Sequence, residues 1–299
     1  MSLSSRLSAA LPALAMFAGL SALAAPAAAE VSFSIQDRDV TRMISLGGSC
    51  NRCELSGRNL AGATFTGATF ISATLVGADL RGAELVGSNF SGSDFTHANM
   101  TGAEIQGSNF TAAVFHEVNL HGAEAQGSVF SRADLSRADL SGAELMGANL
   151  NGAVLTRADL SNAELFGTTL ANVSARAASF ANAELNAANM AGGDFGDANF
   201  TNAELDGARM SRATFSRAVF TDASLRRADI RGADLSGARG LTQTQISEAC
   251  GDATTRLPRG LSVRTCGSRL MTSPRAPVAP PAPPAPPSPR RDFASADRH

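Results

Sequence analysis

Residues 131–160 read SRADLSRADLSGAELMGANLNGAVLTRADL. A large apolar residue returns at every fifth position: Leu135, Leu140, Leu145, Leu150, Leu155, Leu160. An alanine sits two residues before each one, and the residue immediately before is Asp, Glu, Asn or Val. Followed outward, the same clock runs from Leu55 to Leu235 without a change of frame. It fills 37 positions, of which only Ala125 and Ala175 are small. The position two residues earlier is small through Ala63, Ala68, Ala73, Ala78, Ala83, Ser88, Ser93 and Ala98. A period of five matches neither the 3.6 of a helix nor the 2.0 of a flat strand. It describes a chain that bends once per repeat and turns one large and one small side chain inward, which is a solenoid.

A longer period lies over the short one. Glutamate recurs at Glu84, Glu104, Glu124, Glu144, Glu164, Glu184 and Glu204, and phenylalanine at Phe70, Phe90, Phe110 and Phe130, then at Phe180, Phe200 and Phe220. A spacing of 20 makes four pentapeptides one turn and stacks these residues above one another at about 4.8 Å. The stretch quoted above resembles the pentapeptide-repeat family, whose pattern is A(D/N)LXX, and the resemblance covers residues 50–240. It implies an all-β fold, a right-handed quadrilateral parallel β-helix. The 37 repeats then give about nine turns and a rod on the order of 45 Å long. Each buried Leu or Phe contributes roughly 1.5–3 kcal/mol relative to exposure. Ala125 and Ala175 are the expected weak points, with Val173 filling part of the gap beside the second.

The rest of the chain is organised around this tube. Residues 1–29 have the Arg6 start, the Leu/Ala-rich run and the Ala27-Ala28-Ala29 ending of a secretory signal peptide. Residues 30–49 are expected to cap the first turn, because an open sheet edge invites pairing with other chains. The clock breaks at Gly240, and residues 241–267 are expected to close the other end. Thr242 and Gln245 there have the spacing of a helix capping box. That segment is similar to the closing segment of secreted pentapeptide-repeat proteins. Residues 268–299 hold nine of the chain's 12 prolines, a composition that favours polyproline II and cannot bury a core.

Four cysteines allow three pairings. Cys50 and Cys53 open the tube, and Cys250 and Cys266 close it. Ends tens of Å apart cannot be bridged when bonded Cα atoms lie within about 7 Å. The expected pair is therefore Cys250–Cys266, while Cys50 and Cys53 stay open between a bond and two thiols; the export signal points to an oxidising compartment, periplasmic or extracellular. The alternative for Cys50-Asn51-Arg52-Cys53 is a redox dithiol, but such a motif normally opens a helix.

The 299 residues carry 25 arginines, no lysine and 27 carboxylates, a net charge of −2. No basic surplus is present to grip nucleic-acid phosphates. The sequence contains no P-loop, no HExxH and no Ser-His-Asp arrangement, and no cofactor or metal site is expected. His97, His116 and Glu117 fall together across one turn, the nearest approach to a metal-binding group. Arg132, Arg137 and Arg157 lie mid-rod; Arg209, Arg212, Arg217, Arg226, Arg227 and Arg231 gather toward its end. Arg81 is the one arginine expected to serve the Glu column. That column, Glu84, Glu104, Glu124, Glu144, Glu164, Glu184 and Glu204, is the candidate interaction stripe: it reads either as a solvated row inherited by duplication or as an edge that recruits a basic protein or a cation such as calcium. The reading is an exported, non-enzymatic scaffold or protein-binding solenoid whose protein partner is unknown. It has no stable membrane insertion once the signal is cleaved. The family resemblance also implies an alternative, a DNA-mimicking inhibitor of type II topoisomerases, which the export signal disfavours.

Overall fold

The computed structural model describes residues 48–266. The expected signal segment 1–29, nearly all of the 30–49 cap and the 268–299 tail lie outside the described residues. From Ser49↔Thr69 to Val219↔Arg239, parallel bridges join each repeat to the fourth repeat after it. Each of these bridges falls on the residues just before a fifth-position residue, which is large and apolar except at Cys50, Ala125, Ala175 and Gly240. The chain therefore forms coils of four short sides. No side is longer than a single bridge, because a corner interrupts it every fifth residue.

The physics of one repeat accounts for that geometry. The apolar residue donates its N–H to the next coil, as Phe65 does to the Glu84 carbonyl at 2.6 Å. The residue before it donates to the previous coil, as Glu84 does to the Ala63 carbonyl at 2.9 Å. The residue two after it again donates forward, as Gly67 does to Val86 at 2.9 Å. The residue three after it closes a turn onto the apolar residue's own carbonyl, as Ala68 does to Phe65 at 3.0 Å. The third residue of that turn has positive φ, 66° at Gly147 and 61° at Arg157, a region that glycine enters without strain and arginine does not.

The aspartates and asparagines ahead of the apolar residue have a purpose that composition did not reveal. Their Oδ1 accepts the N–H two residues on, as Asp94 does from Thr96 at 2.9 Å and Asn109 from Thr111 at 3.0 Å. The short side chain thus fastens its own corner, an Asx turn repeated along the tube.

All 37 clock positions are buried, Ala125 and Ala175 included. Phenylalanines form two adjoining ladders. Phe70 stacks on Phe90 with centroids 4.6 Å apart, and Phe95 on Phe115 at 4.8 Å. Between the ladders the rings meet edge to face, as Phe110 and Phe115 do at 5.2 Å. Both stacked and edge contacts are favoured geometries for aromatic pairs. A ladder forms again from Phe180 to Phe220, now on a different side from Phe70–Phe130, while Phe195 and Phe215 continue the column of Phe95 and Phe115. Val173 is buried, and its methyl group occupies room left by glycine in the coil above. A Cβ on Gly193 would lie 3.2 Å from Val173 Cγ2 and 2.6 Å from Phe195 Cε2. The few buried polar residues are satisfied: Ser93 Oγ donates to the Phe70 carbonyl at 2.6 Å, and Thr168 Oγ1 to Leu145 at 2.8 Å.

After Gly240 the period ends, but the pairing does not. Asp229 bridges Cys250 and Asp234 bridges Arg256, offsets of 21 and 22 in place of 20. Gly240 has φ 74°, and a Cβ there would come within 2.7 Å of the Thr221 nitrogen, so the chain leaves the tube where only glycine fits. A six-residue helix follows, Gln243–Glu248, with a capping box between Thr242 and Gln245. Its Ile246 is buried. The Gln245 amide also donates to the Phe220 and Ala223 carbonyls, at 2.9 and 2.8 Å. The Ala223 carbonyl is one that a further regular coil would otherwise cover, as Glu84 covers Ala63, whereas the Phe220 carbonyl also accepts the Ala223 N–H of its own turn at 3.2 Å.

Candidate functional site

The glutamate column is real in three dimensions. Glu84↔Glu104, Glu104↔Glu124, Glu124↔Glu144, Glu144↔Glu164, Glu164↔Glu184 and Glu184↔Glu204 are all parallel bridge pairs, so seven carboxylates rise from one wall in register. Four of these seven carboxylates, those of Glu84, Glu124, Glu144 and Glu204, are hydrogen-bonded by a side chain of the coil before them instead of fastening their own corners as the aspartates do. Gln106 Nε2 donates to Glu124 Oε2 at 2.6 Å, Gln126 donates to Glu144, and Asn186 Nδ2 donates to Glu204 at 2.8 Å. On another wall Glu54 does fold back, accepting the Ser56 N–H at 2.9 Å.

Arg81 does not serve this column. It donates from Nε and Nη2, one edge of its guanidinium, to the two carboxylate oxygens of Asp79, at 2.8 and 2.7 Å, on the preceding side of the coil. Asp79 lies two residues from Arg81 and folds over the same corner, whereas Glu84 follows the next corner. The Asp79 carboxyl is held below its ordinary value by that guanidinium.

Beside the column the sequence reading missed an apolar element. The corner residues two after Glu144 and Glu164 are Met146 and Phe166, 40 % and 56 % exposed and on successive coils. The signal was present: a fixed corner position that is polar at Gln106, Gln126 and Asn186 becomes apolar on two consecutive coils. A large exposed aromatic among charged neighbours has the composition of a contact hot spot.

The histidine group forms as expected in space. His97 Nδ1 and His116 Nε2 lie 3.4 and 3.5 Å from Glu117. Arg137 also binds Glu117, at 2.9 Å, and is the main cause of its lowered pKa. The carboxylate is thus already neutralised by a guanidinium. Among the described residues no cluster of His, Cys, Asp or Glu suits a metal ion. Glu117 belongs to a charged corner that continues higher up as Asp197, which is bound to Arg217 at 2.6 Å and approached by Arg176 at 3.3 Å. At the same height on another corner, Asn202 donates to Asn182 and Asn182 to Asn162, at 3.2 and 3.3 Å.

Cys250 pairs with Cys266 as expected, and Cys50 pairs with Cys53. The Cα atoms of Cys50 and Cys53 are 5.5 Å apart, and those of Cys250 and Cys266 are 4.7 Å apart. Among the described residues no helix is long and apolar enough to cross a membrane.

A tube of this kind, whose interior is filled by its own side chains and whose walls carry stacked polar rows, is a solenoid. The chain matches the Pentapeptide repeats family over residues 49–85, 75–111, 113–152, 133–172, 178–217 and 203–239, and it belongs to that family. Proteins of this family are generally non-enzymatic. Among solved structures it is similar to HetL, a pentapeptide repeat protein involved in heterocyst differentiation regulation from the cyanobacterium Nostoc sp. strain PCC 7120. The identity is 26 % over 77 % of this chain and 100 % of that one, with a TM-score of 0.60. A trypsin-treated form of QnrB1, a plasmid-mediated fluoroquinolone resistance protein, is 20 % identical over 69 % of this chain and 92 % of that one, with a TM-score of 0.38. A pentapeptide repeat protein from the Arabidopsis thaliana thylakoid lumen is 34 % identical, over 34 % of this chain and 69 % of its own length, with a TM-score of 0.22. No curated protein gives a match. The pentapeptide-repeat neighbours imply a right-handed quadrilateral β-helix.

Proposed function

We propose that this protein is an exported, non-enzymatic binding solenoid that holds a protein partner on its glutamate wall. The tube is read as a right-handed β-helix of about nine turns, closed at both ends by disulfides formed after export. The observation that carries the reading is the in-register row from Glu84 to Glu204, with Met146 and Phe166 exposed beside its middle. Aligned like charges about 4.8 Å apart repel by roughly 1 kcal/mol per neighbouring pair in high dielectric. A partner carrying basic side chains would relieve that repulsion, and an apolar anchor against Phe166 would supply burial. The proposed partner is therefore a protein that presents basic residues around an apolar one.

The test is affinity capture from envelope extract with the protein and with a variant carrying Glu124→Gln, Glu144→Gln and Glu164→Gln. The reading expects a partner captured by the first and lost by the second; equal capture contradicts it. A second reading, mimicry of duplex DNA toward a type II topoisomerase, draws support from the acidity of residues 50–208, with 17 carboxylates against 7 arginines. Supercoiling by gyrase with and without the protein separates the two: inhibition supports mimicry and undisturbed supercoiling removes it.

A further inference from the structure

The charge balance reverses along the chain. Residues 50–208 carry a net −10, whereas residues 209–266 hold 10 arginines against 5 carboxylates, a net +5. Within that basic end, three coils contribute to one surface hollow of about 680 Å³. Arg209, Ser211 and Arg212 come from the first coil, Asp229, Arg231 and Gly232 from the second, and Asp252 and Thr254 from the closing segment.

The two carboxylates in the hollow are already engaged. Asp229 receives two hydrogen bonds from Arg231, at 2.8 and 2.6 Å. Asp252 accepts from Thr254 Oγ1 at 2.7 Å, from the Thr254 N–H at 2.9 Å and from the Gly232 N–H at 3.2 Å. Arg231 is thereby satisfied and Arg209 and Arg212 are left over. Among the described residues, neither has a carboxylate within ion-pair distance, although Arg209 is near enough to Asp229 to lower its pKa. The stem of Arg212 lies over Gly232, where a Cβ would be 3.4 Å from Arg212 Cγ and 3.3 Å from Thr254 Oγ1. A side chain at Gly232 would press on both neighbours.

We propose that this hollow is a binding site for a phosphate-class oxyanion, taken by Arg209 and Arg212 with Ser211 as an additional donor. Guanidinium groups suit this ligand because their planar N–H pairs match two oxygens of a phosphate at once. The site lies on the basic end of the rod and is separate from the glutamate wall, so it does not depend on the protein-binding reading. The phosphate is either soluble or carried on a lipid headgroup; the recognising chemistry is the same.

Isothermal titration of the full chain with pyrophosphate, at fixed ionic strength in chloride, tests the site directly. The expected result is saturable binding that weakens as salt rises, since exposed charges are screened. Arg209→Gln with Arg212→Gln should weaken it at least tenfold. Arg157→Gln, on the mid-rod, should leave it unchanged. Both variants alter exposed side chains, and matching thermal melts confirm that their folds are equal. Flotation with phosphatidylglycerol vesicles, beside phosphatidylcholine alone, separates the two sources: Arg209- and Arg212-dependent binding to either pyrophosphate or the anionic vesicles supports the site. Tungstate soaked into crystals should give an anomalous peak between the two guanidiniums. No saturable binding to either probe, equal binding by the double variant, or tungstate peaks only elsewhere would overturn the proposal.

Discussion

The repeated tube, residues 49–239, and the closing segment, residues 240–266, solve the same problem by opposite means. In the tube every coil is covered by another coil of the same kind, so one local rule serves at all 37 clock positions. In the closing segment no further coil follows, and each backbone group left over needs its own partner. The Gln245 amide covers the Ala223 carbonyl and adds a donor to that of Phe220, Thr255 Oγ1 adds one to the Ile230 carbonyl at 3.0 Å, Ile246 fills the end of the core, and Cys266 ties back to Cys250. Repetition distributes stability between nearest neighbours, whereas a terminus concentrates it in a few unlike contacts. Damage in the tube should therefore divide it, and damage at the end should fray it.

The largest effect is expected from Phe90→Ala. Phe90 stacks with Phe70 and Phe110 and meets Phe95 edge-on, so its loss should cost about 3–5 kcal/mol. Hydrogen exchange should show protection falling on the coils on both sides of residue 90 while residues 240–266 keep theirs. A loss confined to residue 90 itself would break the nearest-neighbour picture. Next comes Cys250→Ala with Cys266→Ala. A bridge across 16 residues is worth about 3 kcal/mol by chain entropy, and exchange should rise only in the closing segment and the coil beneath it. Gln245→Ala should cost about 1–3 kcal/mol by leaving the Ala223 carbonyl uncovered, read as an earlier denaturant midpoint. Replacing Glu124, Glu144 and Glu164 by Gln should act in the other direction. It should raise stability by roughly 1 kcal/mol for each relieved pair at low salt, with the gain shrinking as salt is added.

Acid sharpens the same contrast. Asp252 in the closing segment is lowered to about 2 from an ordinary 3.8, first by the Thr254 hydroxyl and then by backbone N–H groups. A depressed carboxyl stabilises the fold above its unfolded pKa, and that contribution is lost as pH falls from about 4 toward 2. Carboxyl titration by NMR should place the Asp252 midpoint near 2, with the closing segment loosening over that window. A midpoint near 3.8 would mean that these hydrogen bonds are absent in solution.

The tube was legible from residues because period and burial are the same fact: every fifth side chain points inward whatever its neighbours are. The Glu row was legible for the same reason, since its period equals the length of a coil and places it automatically. The partner of Arg81 was not, because two carboxylates lie within a few residues and only the corner's direction decides between Asp79 and Glu84. Met146 and Phe166 were overlooked because they occupy a turn position where any residue is tolerated, so their exposure shows only when the coil is built. The continuation of pairing to Cys250 and Arg256 was hidden by the end of the period: the backbone keeps its coil while the side-chain rule lapses.

Everything described for the tube requires that four pentapeptides make one coil and that the coils stack directly. Spin labels at positions 84 and 204, six coils apart on one wall, measure this with a single dipolar distance. At about 4.8 Å per coil the labels should lie about 29 Å apart in a narrow distribution. A broad distribution, or a separation far longer than the stacked value, would contradict the stacked tube.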